Sequence, residues 1–271
     1  MASVTPMESY GRGLARATAG AIIFSFPLIM TMEMWELGFF VDRGRLALFV
    51  AVTATCVFGL SMFAGFRQSD GLADDLLDAF AALAVGFVTA AALLTLFGLL
   101  TPDMPAREIM GKIAIQGAPA SIGAIVANKQ LSENGKAENA REQRAGYLGQ
   151  LFLMAAGALF LAFNVAPTEE MVLIGYKMSA AHAVATIAAS LLLLHALVYT
   201  VGFAGQHANE GHVGAFLHHT LAGYGIAVAV SVYILWTFGR LDDVGFVEGV
   251  RATVVLSFPA ALGAAAARLL V

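Results

Sequence analysis

Eight runs of about 20 apolar residues, each bounded by charge or turn residues, constrain this chain more than any other feature. They cover 14–39, 45–66, 77–100, 108–128, 146–166, 179–203, 217–238 and 247–268. A hydrocarbon layer about 30 Å thick is crossed by about 20 residues of helix at a rise of about 1.5 Å each. Lipid offers no partner to backbone N–H and C=O groups, so a spanning segment of this length has to satisfy them internally, as a helix. The predicted fold class is therefore all-α membrane, with eight transmembrane helices. The run 14–39 exceeds the h-region of a secretory signal and is expected to persist as a permanent helix, in which Pro27 removes a backbone donor and produces a packing kink or, alternatively, an opened helix.

The composition fits that reading. Of 271 residues, 59% are apolar and 13% charged, against about 45–50% and about 25% in soluble domains. After eight spans too little chain remains for a separate soluble catalytic domain. The 15 basic residues are scattered among 19 acidic ones, for a net charge of −4, and without a basic patch nucleic acid is excluded as a partner. Cys56 is alone, so no intrachain disulfide framework exists. No nucleophile elbow, phosphate-cradling glycine loop or Ser-His-Asp arrangement stands out, and an enzymatic role is not supported.

With eight spans both termini share one side with the 2–3, 4–5 and 6–7 loops. That side holds eight Lys and Arg, namely Arg12, Arg16, Arg67, Lys129, Lys136, Arg141, Arg144 and Arg268, against seven opposite. The margin is narrow, but the only basic cluster lies in the hydrophilic linker 129–144. The positive-inside rule then puts both termini in the cytoplasm of a multi-pass protein of the bacterial inner membrane.

Set against itself, the sequence repeats. Residues 19–39 match 156–176 at eight of 21 positions with an offset of 137, including Gly20/Gly157, Thr31/Thr168, Glu33/Glu170 and Gly38/Gly175. Further on the offset becomes 140, where Pro119-Ala120-Ser121-Ile122-Gly123 meets Pro259-Ala260-Ala261-Leu262-Gly263. Identities at Ala are expected between any two membrane helices; those at Gly, Pro and Glu are not. The expected organisation is a first four-helix repeat over 1–128, the linker 129–144 and a second four-helix repeat over 145–271. An even number of spans per copy makes the repeats parallel, and a seam between the halves is where such a protein can keep polar groups. Gly20, Gly117, Gly123, Gly157, Gly223, Gly225 and Gly263 are expected at close helix contacts.

Glu33 and Glu36 lie three apart near the end of the first run, beside Trp35 and without a basic neighbour, and Glu170 takes the equivalent place in the second half. An ionised carboxylate at mid-bilayer costs about 2.5–3.5 kcal/mol, so it faces an aqueous path, a partner or the headgroups. On the first alternative Glu33 and Glu170 form a symmetry-related pair on a cation or proton path, Glu36 sets the vestibule field, and Pro27 and Asn164 shape the adjoining route. On the second, all lie among headgroups with Trp35 as an interfacial anchor. On the same side of the membrane lie Asp42, Asp103, Glu108, Asp242, Asp243 and Glu248, so acids outnumber the seven bases there, which favours cations over anions.

Asp70, Asp74, Asp75 and Asp78 lack the ligand spacing of a calcium loop and read as an acidic approach to the third span. The stretch 207–219 contains four histidines and Glu210; His207, Glu210 and His212 form a weak candidate metal site, more simply read as a solvated loop. His195 lies inside a span, where a haem ligand or proton relay is conceivable. No cofactor is strongly implied.

The run RATAGAIIFSFPLIMTMEMWELGFF, from Arg16 to Phe40, resembles the start of an uncharacterised bacterial family of integral membrane proteins known only as a domain of unknown function. The resemblance implies a prokaryotic polytopic protein and supplies no activity. The residues favour a cation or proton-linked channel or transporter. A non-transporting scaffold or assembly factor is the main alternative, a haem or metal redox protein a third, and the partners are the lipid bilayer and a small cation or proton. A homo-oligomer is left open.

Overall fold

A computed structural model describes residues 6–64, 71–130, 146–201 and 216–270. Among the described residues every regular element is helical. Seven helices are long and apolar enough to cross a membrane, and eight spans result if one bent pair counts as a single span. The chain divides into two compact units, one up to Ala140 and the other over Arg141–Leu270.

The first unit contains α1 (Pro6–Ile29), α2 (Met32–Phe40), α3 (Arg43–Ala64), α4 (Leu72–Leu96) and α5 (Ala106–Gln130). Here the run 14–39 persists but is divided just beyond Pro27. The chain stops at Ile29, and α2 leaves at 88° to α1. The apolar run continues through the break, so a hydropathy count does not register it. Pro27 lacks the N–H that would bond four residues back, and two residues beyond it the backbone leaves the helix. The second unit contains α6 (Tyr147–Val165), α7 (Glu169–Lys177), α8 (Ala180–Val201), a π-helical turn (Phe216–Leu221), α9 (Ala222–Thr237) and α10 (Phe246–Leu270).

In the first unit α5 is the hub, touching α1, α2, α3 and α4. It is the least apolar of the seven single-helix spans, and 83% of its membrane-crossing stretch within Ala106–Ala127 is buried, against 11% for α8. A helix surrounded by protein needs small residues more than large apolar ones, because lipid contributes no drive to helix association and close backbone approach has to supply it. A Cβ on Gly20 of α1 would collide with the Gly123 carbonyl of α5. In the second unit α10 touches α6, α7, α8 and α9, and a Cβ on Gly157 of α6 would collide with the Gly263 carbonyl of α10. Gly38 of α2 rests on the backbone of Gly111 and Lys112, while a Cβ on Gly175 of α7 would come within 3.2 Å of the Ala252 backbone nitrogen. Gly117 and Gly223 are also crowded, by Phe87 and Met154, but Gly225 faces open space, contrary to expectation.

The ends of helices are closed by specific groups. Asp42 caps α3: its carbonyl accepts from Leu46, and its Oδ1 accepts from Gly44 N–H at 2.8 Å and Arg45 N–H at 3.1 Å. The Arg45 and Gly44 donors hold the Asp42 carboxyl below the usual carboxylate range. Ser179 caps α8, accepting from His182 N–H at 3.3 Å. α4 and α9 each end in a glycine at φ 71°, Gly98 and Gly239. There the next residue's N–H reaches back five positions, Leu99 to Leu94 and Arg240 to Leu235, both at 2.8 Å.

Candidate functional site: two capped helix breaks and their glutamates

Each unit has a long helix followed, after a short break, by a nine-residue helix. In the first break Thr31 is extended (φ −106°, ψ 123°) and precedes α2. Its hydroxyl donates to the Leu28 carbonyl at 2.8 Å, and the Trp35 indole N–H donates to the Ile29 carbonyl at 2.7 Å. Thus two of the carbonyls that end α1 are taken by side chains rather than by water. Trp35 is half-buried and engaged in this cap, so its indole N–H has a structural partner besides any interfacial role.

The second break repeats the threonine. Thr168 donates its hydroxyl to the Val165 carbonyl at 2.8 Å, and Arg240 donates to the Pro167 carbonyl. Asn164, at the register of Pro27, lies in the last turn of α6 and donates to the Phe160 carbonyl at 2.8 Å.

Glu33 and Glu170 are each the second residue of their short helix. Glu33 is half-buried, while Glu36 and Glu170 are exposed. No described Lys or Arg pairs with any of the three. Pro27 is exposed, and one turn deeper α5 supplies an unanticipated polar group: buried Gln116 donates to the Ser25 carbonyl at 2.7 Å, with its own Oε1 left unbonded. Sequence reading missed Gln116 because a single amide in an alanine-rich span carries no spacing signal.

A second polar locus lies at the start of α4, where Asp74 and Asp75 stand in the first turn as the acidic approach to the third span predicts. Asp75 and Asp78 are buried in α4 at 7% and 1% exposure, and Ser61 of α3 donates to the Asp75 carbonyl oxygen at 2.7 Å. Their i, i+3 spacing puts them on one helix face, and α3 and α5 cover α4. Lys112 of α5 is also buried. It pairs with Glu108 at 2.7 Å and donates to the Leu99 carbonyl at 3.4 Å. His195 bonds Thr220 of the π-helical turn at 2.8 Å. The candidate metal residues His207, Glu210 and His212 lie outside the described residues. Within them, no group of three or more His, Cys, Asp or Glu could hold a metal.

The sequence profile of the family described as "Putative integral membrane protein (DUF2391)" matches residues 13–271. The chain belongs to this family. No curated protein and no solved structure matches it. Family membership together with the apolar helices makes it a multi-pass integral membrane protein residing in a lipid bilayer.

Proposed function

We propose that this family member is a cation or proton-linked channel or transporter built from two copies of one helical unit. Glu33 and Glu170 are the paired polar groups on the route of the ion. Glu36 adds to the negative field at its mouth, and Pro27 and Asn164 shape the turn that delivers the glutamates. The observation that carries the reading is the recurrence of one local design. In both units a threonine closes the break, a nine-residue helix follows, and a glutamate without a basic partner is its second residue. A bare carboxylate at a bilayer boundary attracts cations, and broken helices at ion sites are a recurrent feature of transporters.

A non-transporting scaffold is the competing reading, and one observation favours it: the carbonyls named at both breaks are already bonded within the protein. Purified protein in proteoliposomes separates the two. Transport predicts cation or proton flux above that of empty liposomes, lost in the double variant Glu33→Gln/Glu170→Gln. Flux equal to empty liposomes across alkali cations and a pH gradient would favour the scaffold.

A further inference from the structure

The second unit holds a groove of about 500 Å³ between α7, α8 and α10. Its floor is apolar, made by Ile174, Ala185, Ala189 and Phe258; of its polar groups Lys177 and His182 lie at the N-terminal end of α8, and Thr186 follows one turn on with its hydroxyl donated to the His182 carbonyl at 2.8 Å. From His182 to Ala189 the helix rises about 10 Å, so the groove runs from a charged mouth along an apolar wall. Its volume falls in the range of about 300–1,000 Å³ common for small-molecule sites.

The mouth is built for an anion. Lys177 is exposed and has no carboxylate partner among the described residues. Ser179 fixes the imidazole beside it. Its Oγ accepts the His182 backbone N–H at 3.3 Å and lies 2.8 Å from His182 Nδ1. This contact fixes the orientation of the ring at the mouth, and either tautomer is compatible with it. The Lys177 ammonium with the imidazole beside it matches a phosphate, and the apolar wall matches an acyl chain.

We infer that this groove binds an anionic phospholipid, its phosphate held by Lys177 and His182 and one acyl chain lying along Ala185 and Ala189 against Phe258. This is independent of any transport role. The test is native mass spectrometry of the detergent-purified full chain titrated with phosphatidylglycerol or phosphatidylcholine of identical chains. Phosphatidylglycerol should bind about fivefold or more tightly than phosphatidylcholine, and Lys177→Ala/His182→Ala should remove that preference. Ala185→Leu, at an exposed position that fills the chain track, should weaken both lipids. Glycerol phosphate, which has the headgroup and no chains, should not compete at equal concentration.

Circular dichroism and detergent melting matching the parent establish that these surface variants fold. Equal affinity for the two lipids would overturn the inference. So would undiminished phosphatidylglycerol preference in the double variant, unchanged binding in Ala185→Leu, or full competition by glycerol phosphate.

Discussion

In the first unit the break after Ile29 is closed from within: Trp35, six residues on, caps the free carbonyl. In the second unit the break after Val165 is closed from 73 residues away, by Arg240 reaching back to Pro167. The threonine and the short helix are common to both, whereas the proline inside the helix belongs only to the first and the amide of Asn164 only to the second. A turn specified by local residues and one specified by a tertiary contact thus deliver a glutamate at the same register. The first should survive loosening of its unit, and the second should not.

The comparison breaks most severely at the glycines beneath both breaks. Gly20→Val and Gly157→Val each drive side-chain atoms into a facing carbonyl. Each should destabilise its unit by about 3 kcal/mol or more, at the upper end for overpacking, as measured by unfolding in mixed micelles. An effect below about 1 kcal/mol at either would mean that the helices are not in close contact there.

Arg240→Ala comes next. Losing a charged donor to a carbonyl costs about 1.5–3 kcal/mol, whereas losing the neutral indole bond in Trp35→Phe costs about 0.5–1.5 kcal/mol. Arg240→Ala should also raise amide exchange across α7, while Trp35→Phe leaves exchange in α2 closer to the parent. Equal effects in both measurements would erase the distinction between tertiary and local closure.

The smallest effect concerns the caps that follow the short helices, Asp42 before α3 and Ser179 before α8. The folded-state pKa of Asp42 is depressed. Its contribution is therefore present above the unfolded value of about 3.9 and is lost as pH falls through the lower folded value. Exchange at Gly44 and Arg45, corrected for intrinsic rates, should rise on acidification from pH 5 to pH 2. Exchange at His182 under its serine cap should follow no such carboxylate titration. Matching acid responses at the two caps would remove Asp42 as the cause.

Several elements were legible in the sequence because their signal is periodic or compositional. Apolar runs located the spans, and self-comparison put Thr31 with Thr168 and Glu33 with Glu170 before any coordinates. Pro27 marked where the first span would bend, but the 88° size of the turn was not legible. Met30 to Phe40 stays apolar on both sides of Glu33 and Glu36, and what ends the helix is side-chain chemistry at single carbonyls. Asp74 and Asp75 stand in the first turn of α4, as an acidic helix approach requires, but the burial of Asp75 and Asp78 was not legible because it depends on how α3 and α5 pack on α4. Gly225 was expected at a contact on composition, yet a small residue is necessary for close approach without being sufficient.

The account rests on Glu33 and Glu170 acting as one pair. Initial cation and proton flux should be measured in proteoliposomes carrying equal amounts of folded parent, Glu33→Gln, Glu170→Gln and the double variant. Each single substitution is predicted to lower flux by more than half, and the double to reach the level of empty liposomes. Parent-like flux in all three variants, or loss confined to one glutamate with the other silent, would contradict the pairing.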